Sequence, residues 1–248
     1  MVYDKTVLKH MREAGKRLTK VIFELREAVV PGVTGLELDA LAEKKIRALD
    51  SVPSFLGYEG YPASVCISVD DVVIHGIPSK RPLLPGQLVS IDLGLIYDGW
   101  NSDAAFTVII PPIEENKKRL SDVTLEALKH GVQAVRPGVR LGTVSSAIQK
   151  VADDAGLGIV RDFTGHGIGR DMHEDPPIPN YGRPNTGPVL KPYMFIAIEP
   201  MLTEGSGCVV IEDDGWTVRT CDHTNAAHFE FTLAVTEDGV EVLTPHVQ

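Results

Sequence analysis

At 248 residues and 43% hydrophobic content, the chain can bury a sizeable core as one large domain or two small ones. Its formal charge of -10, from 24 basic and 34 acidic residues, argues against a non-specific polyanion binder, because phosphate backbones are held by clustered Lys and Arg. Cys66, Cys208 and Cys221 are sparse and lack CxxC spacing, which predicts neither a disulfide framework nor a structural zinc module and points to a reducing compartment.

The N-terminus runs straight into an amphipathic pattern, with no signal-peptide core and no long apolar span, so a cytoplasmic protein without membrane contact is expected. Val7, Met11, Ala14, Leu18, Val21, Ile22, Leu25 and Val29 recur at helical spacing until Pro31-Gly32 stops them. Thr34-Gly35-Leu36-Glu37 fits a capping box, and Leu38, Leu41, Ile46 and Leu49 give a second helix its apolar stripe. Glycine-punctuated aromatics, Phe55, Tyr58 and Tyr61, lead into a strand at about 64–69, and taken alone they read as loop packing. His75 follows an apolar run and precedes a Gly and a Pro that force a turn, where a lone histidine is usually structural.

The stretch from Ser90 to Thr107 carries the chemistry. Alternation puts Ser90, Asp92, Gly94 and Ile96 on one face, and Asp98-Gly99 is a strong two-residue hairpin signal. A type I′ turn there pairs Tyr97 with Trp100, Gly94 with Asp103 and Asp92 with Ala105. Asp92 and Asp103 then become diagonal neighbours roughly 7–8 Å apart at the backbone. Both carboxylates can reach one ion, and Gly94 is expected to leave the gap it fills.

A third helix from about residue 114 ends in Pro137-Gly138, and a fourth runs from about Thr143 to Ala155. Ala134-Val135-Arg136-Pro137-Gly138-Val139 echoes Ala28-Val29-Val30-Pro31-Gly32-Val33, H-G-I recurs at His75 and His166, and D-G-W recurs at Asp98 and Asp214. These echoes imply one α/β (α+β) domain over residues 1–248. Its halves, about 1–112 and 113–248, would be related by a pseudo-twofold around a central cleft, where ligand sites favour such junctions. His166 and His173 precede a proline-rich loop from Pro176 to Pro188, expected as an extended rim. Tyr193, Phe195, Ala197 and Glu199 are expected on one strand face. His228, Glu230, Thr232 and Ala234 alternate with Phe229, Phe231, Leu233 and Val235 as a last strand.

Asp92, Asp103, Glu199 and Glu230 are costly to bury unpaired, and no Lys or Arg interrupts their strand faces. Four negative charges with one neutral His166 balance two divalent cations, as in hydrolytic two-metal sites. Oxygen-rich ligation suits Mn, Fe(II), Co or Zn and does not choose among them.

Seven stretches now carry a resemblance: L-G-Y-E-G-Y-P-A-S-V-C-I-S-V, H-G-I-P, D-G-W-N-S-D, T-G-H-G-I-G-R-D-M-H-E-D-P, I-E-P-M, D-G-W-T-V and F-E-F-T. In this order the chain resembles the type I methionine aminopeptidases, metallopeptidases of the pita-bread fold, whose helices pack on a curved, mostly antiparallel sheet around a central metal site. The resemblance implies metal ligation by Asp92, Asp103, His166, Glu199 and Glu230. It matches His75 and His173 to substrate-contacting histidines, which overturns the structural reading of His75. It also implies a methionine pocket of Phe55, Tyr58, Tyr61, Cys66, Met172 and Trp216, soft and apolar as a thioether requires.

The activity implied is removal of an initiator methionine ahead of a small second residue, by a metal-bridging water with Glu199 as general base. Implied partners are nascent polypeptide N-termini near the ribosome, met by a monomer; no basic patch argues for ribosome docking. The chain departs from the family at Met172 (a usual aromatic), Phe55 (a usual Cys), His228 (a usual Gln) and Phe231 (a frequent His). Asp70-Asp71 and Ala226 differ near a monovalent-cation position, which leaves sodium or potassium binding open. A proline-specific peptidase of the same fold usually carries a further N-terminal domain. A non-catalytic pita-bread protein would be expected to lose ligands or histidines, and all seven positions are intact.

Overall fold

Two Pro-Gly turns set the plan of the molecule. In the computed structural model, which describes residues 1–246, Gly32 and Gly138 both take left-handed backbone, φ +92° and +85°. Gly32 N–H donates to Leu83 O and Gly138 N–H to Leu190 O, each at 2.8 Å. Returning bonds run from Leu83 N–H to Val33 O at 2.7 Å and from Leu190 N–H to Val139 O at 2.8 Å. Each half therefore clamps its helix pair to a returning segment in the same way. Val247 and Gln248, which the single-domain reading includes, lie outside the described residues.

The first half contains α1 (Val7–Ala28), α2 (Gly35–Ala48), β1 (Val52–Pro53), β2 (Val65–Val69), β3 (Val72–Ile74), β4 (Leu88–Tyr97) and β5 (Trp100–Ile109). The second begins with α3 (Glu115–Ala134), α4 (Leu141–Ala155), β6 (Gly158–Ile159), β7 (Gly165–Gly167), β8 (Glu174–Ile178) and β9 (Phe195–Ile198). It ends with β10 (Met201–Thr203), β11 (Val209–Ile211), β12 (Val218–Thr220), β13 (Ala226–His228), β14 (Phe231–Val235) and β15 (Val240–Val242). The strand pairings are antiparallel, in a four-stranded sheet around β4, a five-stranded sheet β15-β14-β9-β7-β8 and two three-stranded sheets.

The apolar stripe of α1 buries Met11, Ala14, Leu18, Val21, Ile22 and Leu25, and each large side chain so buried contributes about 1.5–3 kcal/mol. α2 opens with the expected capping box: Thr34 Oγ1 accepts from Glu37 N–H while the Glu37 carboxylate accepts from Thr34 N–H. One buried apolar cluster joins Leu18, Leu93 and Phe106 of the first half to Leu128, Ile196 and Leu233 of the second. Pro176 and Pro177 sit in β8, at the edge of its sheet, where a missing N–H disturbs no inner ladder. No helix among the described residues is long and apolar enough to cross a membrane.

β4 and β5 form an unbroken ladder in the expected register, Tyr97 opposite Trp100, Gly94 opposite Asp103 and Asp92 opposite Ala105. Asp98 and Gly99 take φ +51° and +75°, as a type I′ turn demands. The second half differs from expectation. β9 starts only at Phe195, after Tyr193 at φ +65°, and Glu199 lies beyond its end. The expected last strand breaks at Phe229-Glu230 into β13 and β14. The breaks face each other: Ile198 pairs with Phe231 on one side and Met201 with His228 on the other. Pro200 lacks an N–H, so the ladder cannot run through, and both strands change sheet there.

The cysteine reading also needs correction. Cys208 and Cys221 form a disulfide with Cα atoms 5.5 Å apart, one residue outside each end of the paired β11 and β12, and only Cys66 is a free thiol. Thirteen residues of sequence hid a cross-strand pair, and the sparse count is no guide to a reducing compartment.

Candidate metal centre and pocket

The hairpin places Asp92 and Asp103 against the breaks that carry Glu199 and Glu230. Because β13–β14 is broken, Glu230 N–H is free to cross and donate to Ala105 O of β5 at 2.9 Å. Thr232 Oγ1 accepts from Asp103 N–H at 2.9 Å and donates to Asp103 O at 2.7 Å. Thr107 Oγ1 donates to His228 O at 2.7 Å and accepts from His228 N–H at 3.1 Å. These bonds stitch the two halves together along the acids themselves.

Asp103, His166 and Glu230 each offer a ligand atom within 4.8 Å of the others, all three buried. His166 Nε2 lies 4.0 Å from Asp103 Oδ2 and 3.6 Å from Glu199 Oε1. Its Nδ1 is 2.9 Å from Gly167 O, and since a carbonyl only accepts, Nδ1 carries the proton and Nε2 presents a lone pair to the acids. Asp92 Oδ1, Glu230 Oε1 and His228 Nε2 are buried without a hydrogen-bond partner, and no Lys or Arg lines the cavity among the described residues.

Burial pushes the carboxyls of Asp92, Glu199 and Glu230 well above the usual range, and the neighbouring carboxylates, Asp103 foremost, add repulsion. Asp103 is pushed up to about 7, mainly by burial. Burial also holds His75 and His166 down to about 4, with His173 adding to both, and lowers His173. His228 is held down to about 3 by burial and then by His75. Neutral imidazoles beside acids that resist ionisation form a donor set that a divalent cation completes. The residues fit such an ion on these orphaned oxygens and this charge imbalance.

All thirteen residues singled out from the sequence line one cavity of about 290 Å³. Its apolar wall joins Phe55, Tyr61, Cys66 and Met172, with Tyr58 and Trp216 packed against them. The Tyr61 ring stands edge-on to Phe55 at 6.5 Å and to Trp216 at 5.1 Å. His173 Nδ1 is 2.8 Å from the Tyr58 hydroxyl, and its ring meets that of His166 at 4.4 Å. His75, at φ +58°, is held edge-on between Phe163 and Trp216.

Two expectations change here. A Cβ on Gly94 would meet Phe55 Cε1, Ser54 Oγ and Ser102 O, each at 3.1 Å, so the space beside Gly94 is filled by the pocket wall and is not an ion's gap. Phe163 and Thr164 line the cavity although sequence reasoning passed over them; their place directly before G-H-G was the available signal. At Asp70, Lys117 Nζ lies 2.7 Å from Oδ1 and 2.8 Å from Gly86 O, so this carboxylate already holds an ammonium of the chain itself.

The model of metallopeptidase family M24 matches residues 9–237. The chain is 45% identical to methionine aminopeptidase 1 of Bacillus subtilis over 94% of each chain. It is 47% identical to methionine aminopeptidase 1 of Mycobacterium tuberculosis over 94% of this chain and 91% of that one. The crystal structure of methionine aminopeptidase from Rickettsia prowazekii superposes with a TM-score of 0.97 at 40% identity, covering 98% of this chain and 99% of the other.

Proposed function

The chain belongs to metallopeptidase family M24 and within it to the methionine aminopeptidases, and from that premise we propose that Glu199, His75 and His173 remove the N-terminal methionine of nascent chains in the cavity just described. The carrying observation is that the acid cluster and the apolar wall share one cavity, so a methionine side chain and its scissile bond fit together. Asp92, Asp103, His166, Glu199 and Glu230 are the ligands of two divalent ions, with Mn, Fe(II), Co and Zn all suited. When bound, such ions neutralise the acids, polarise the peptide carbonyl and lower the pKa of water.

The chain's own residues do the rest. Phe55, Tyr58, Tyr61, Cys66, Met172 and Trp216 take the thioether side chain and exclude water from it. The Glu199 carboxylate, ionised once its neighbours are neutralised, takes the proton of the attacking water and passes it to the leaving amine. The Tyr58 hydroxyl holds His173 Nδ1 at 2.8 Å, and in the tautomer in which Tyr58 O–H is the donor, Nε2–H is left to donate to the substrate carbonyl as negative charge develops on its oxygen. His75, kept neutral by burial and held by Phe163 and Trp216, hydrogen-bonds the scissile amide. A small second residue is preferred, as the resemblance to the methionine aminopeptidases implies.

One chain supplies every group, so a monomer suffices. Nascent chains as substrates argue for action in the cytoplasm, with at most transient proximity to the ribosome. Metal-free protein titrated with Mn, Fe(II), Co and Zn should release Met from Met-Ala-Ser and leave an X-Pro peptide intact. Absence of Met release under all four metals would overturn this reading.

A further inference from the structure

His228 has no role in the scheme above, yet its side chain is 1% exposed and turned into the acid cluster. Its backbone is fixed on both sides: N–H and C=O are held by the same Thr107 hydroxyl. The single Thr107 hydroxyl proton goes to His228 O, so the Ser90 hydroxyl, 2.8 Å away, donates to Thr107 in turn. The backbone that carries the ring is therefore fixed by a chain of hydroxyls that begins on β4, the strand that carries Asp92.

At the end of this arrangement, His228 Nε2 has no hydrogen-bond partner and lies 3.6 Å from Glu199 Oε2. The other oxygen of that carboxylate, Oε1, lies 3.6 Å from His166 Nε2. The His166 lone pair faces Asp103 and Glu230, so Oε1 is on the ion side and Oε2 is left for His228. Two imidazole nitrogens flank one carboxylate, one on each oxygen. A separation of 3.6 Å is a few tenths of an ångström beyond a formed N–H···O bond, a gap that a small rotation of the carboxylate closes.

We propose that His228 is a positioning residue for Glu199, donating from Nε2–H to Oε2 so that Oε1 stays turned to the ions. The inference rests on the reading of Glu199 as general base. Oε2 accepts from His228 with one lone pair and keeps the other for the proton of the water. An orphaned buried nitrogen is costly to keep, and the partnership satisfies it once the acid ionises. Outer partners that orient a ligand in this way change activity by about 10- to 100-fold when removed.

The test compares His228→Leu with His228→Gln, whose amide N–H can reach the same oxygen. Histidine ring ¹⁵N spectra of the Zn(II)-loaded wild type provide a readout independent of turnover. The expected results are a kcat on Met-Ala-Ser lowered about 10- to 100-fold in His228→Leu with KM little changed, and most of it restored in His228→Gln. Mn(II) affinity by calorimetry should fall in His228→Leu and recover in His228→Gln, because the histidine keeps a ligand oxygen turned to the ions, and kcat is read at saturating Mn(II). The spectra should place a proton on His228 Nε2.

Equal kcat in all three proteins would overturn the proposal, as would a metal-shifted, proton-free Nε2, which would make His228 a ligand. If His228→Leu does not fold, the wild-type spectrum and the Gln variant still decide the matter. Wild-type protein that binds metal but releases no Met would refute the proposed function. The ring spectra would separately judge the His228–Glu199 bond.

Discussion

The two halves deliver their acids differently. Asp92 and Asp103 ride on ten-residue strands whose ladder never breaks, whereas Glu199 and Glu230 stand in facing gaps between β9 and β10 and between β13 and β14. An unbroken ladder fixes where a short side chain points. A gap frees backbone groups, and the Glu230 N–H uses that freedom to bind Ala105 O of β5 in the first half. Both halves thus carry the same Pro-Gly clamp, while the second gives up ladder bonds to reach the first.

If the broken half holds the proton-moving group and the unbroken half mainly holds charge, Glu199→Gln should be the most damaging change. Met release at saturating Mn(II) should fall by about 10²–10⁴-fold. Asp92→Asn should cost less at saturating metal, because added ion compensates for a weakened ligand; equal losses would erase the distinction.

The next effect separates the halves by a staple that only the second one has. Reducing Cys208–Cys221 removes a loop constraint of about 3 kcal/mol, so a thermal melt in dithiothreitol should drop by several degrees. KM should rise with it, because the hairpin between those cysteines carries Trp216 to the pocket. An unchanged KM would detach the pocket from the staple.

A somewhat smaller effect concerns the cluster that both halves share. The carboxyls of Asp92, Asp103, Glu199 and Glu230 are raised in the folded chain, so the stability they contribute without metal is full below the unfolded carboxyl pKa of about 4. It is lost as pH rises through about 7, where Asp103 ionises. Metal reverses the sign, stabilising by about 2.7 kcal/mol at a hundredfold excess over Kd. The gap between metal-loaded and metal-free Tm should therefore widen from pH 5 to pH 8, and a constant gap would contradict the burial argument.

The smallest test concerns the clamps. Gly32→Ala and Gly138→Ala force a left-handed Ala with no atom nearby to clash, so each should cost about 1–2 kcal/mol, and by the same amount if the turns are true counterparts.

What the sequence disclosed follows the same contrast. Asp92 and Asp103 were legible because period-two alternation and an Asp-Gly turn are local, and a charge in an apolar strand is conspicuous. Glu199 and Glu230 stand out for the same reason, but the alternation around them runs on past the ends of their strands. A break depends on which sheet each segment joins, and only Pro200 hints at that locally. The Cys208–Cys221 pair and the neighbours of Gly94 depend on contacts across the fold, so spacing could not reveal them. The pocket came from resemblance alone, since Phe55, Tyr58 and Tyr61 read locally as loop packing. Both Pro-Gly clamps were visible as an echo, although their hydrogen bonds to Leu83 and Leu190 were not.

The central claim is that two strand pairs of unlike construction together hold two divalent ions. Equilibrium binding of Mn(II) to the metal-free protein tests it most directly. Two ions per chain, with uptake weakened severely by Asp103→Asn and by Glu230→Gln, is the predicted result. No uptake, or uptake indifferent to both substitutions, would contradict it.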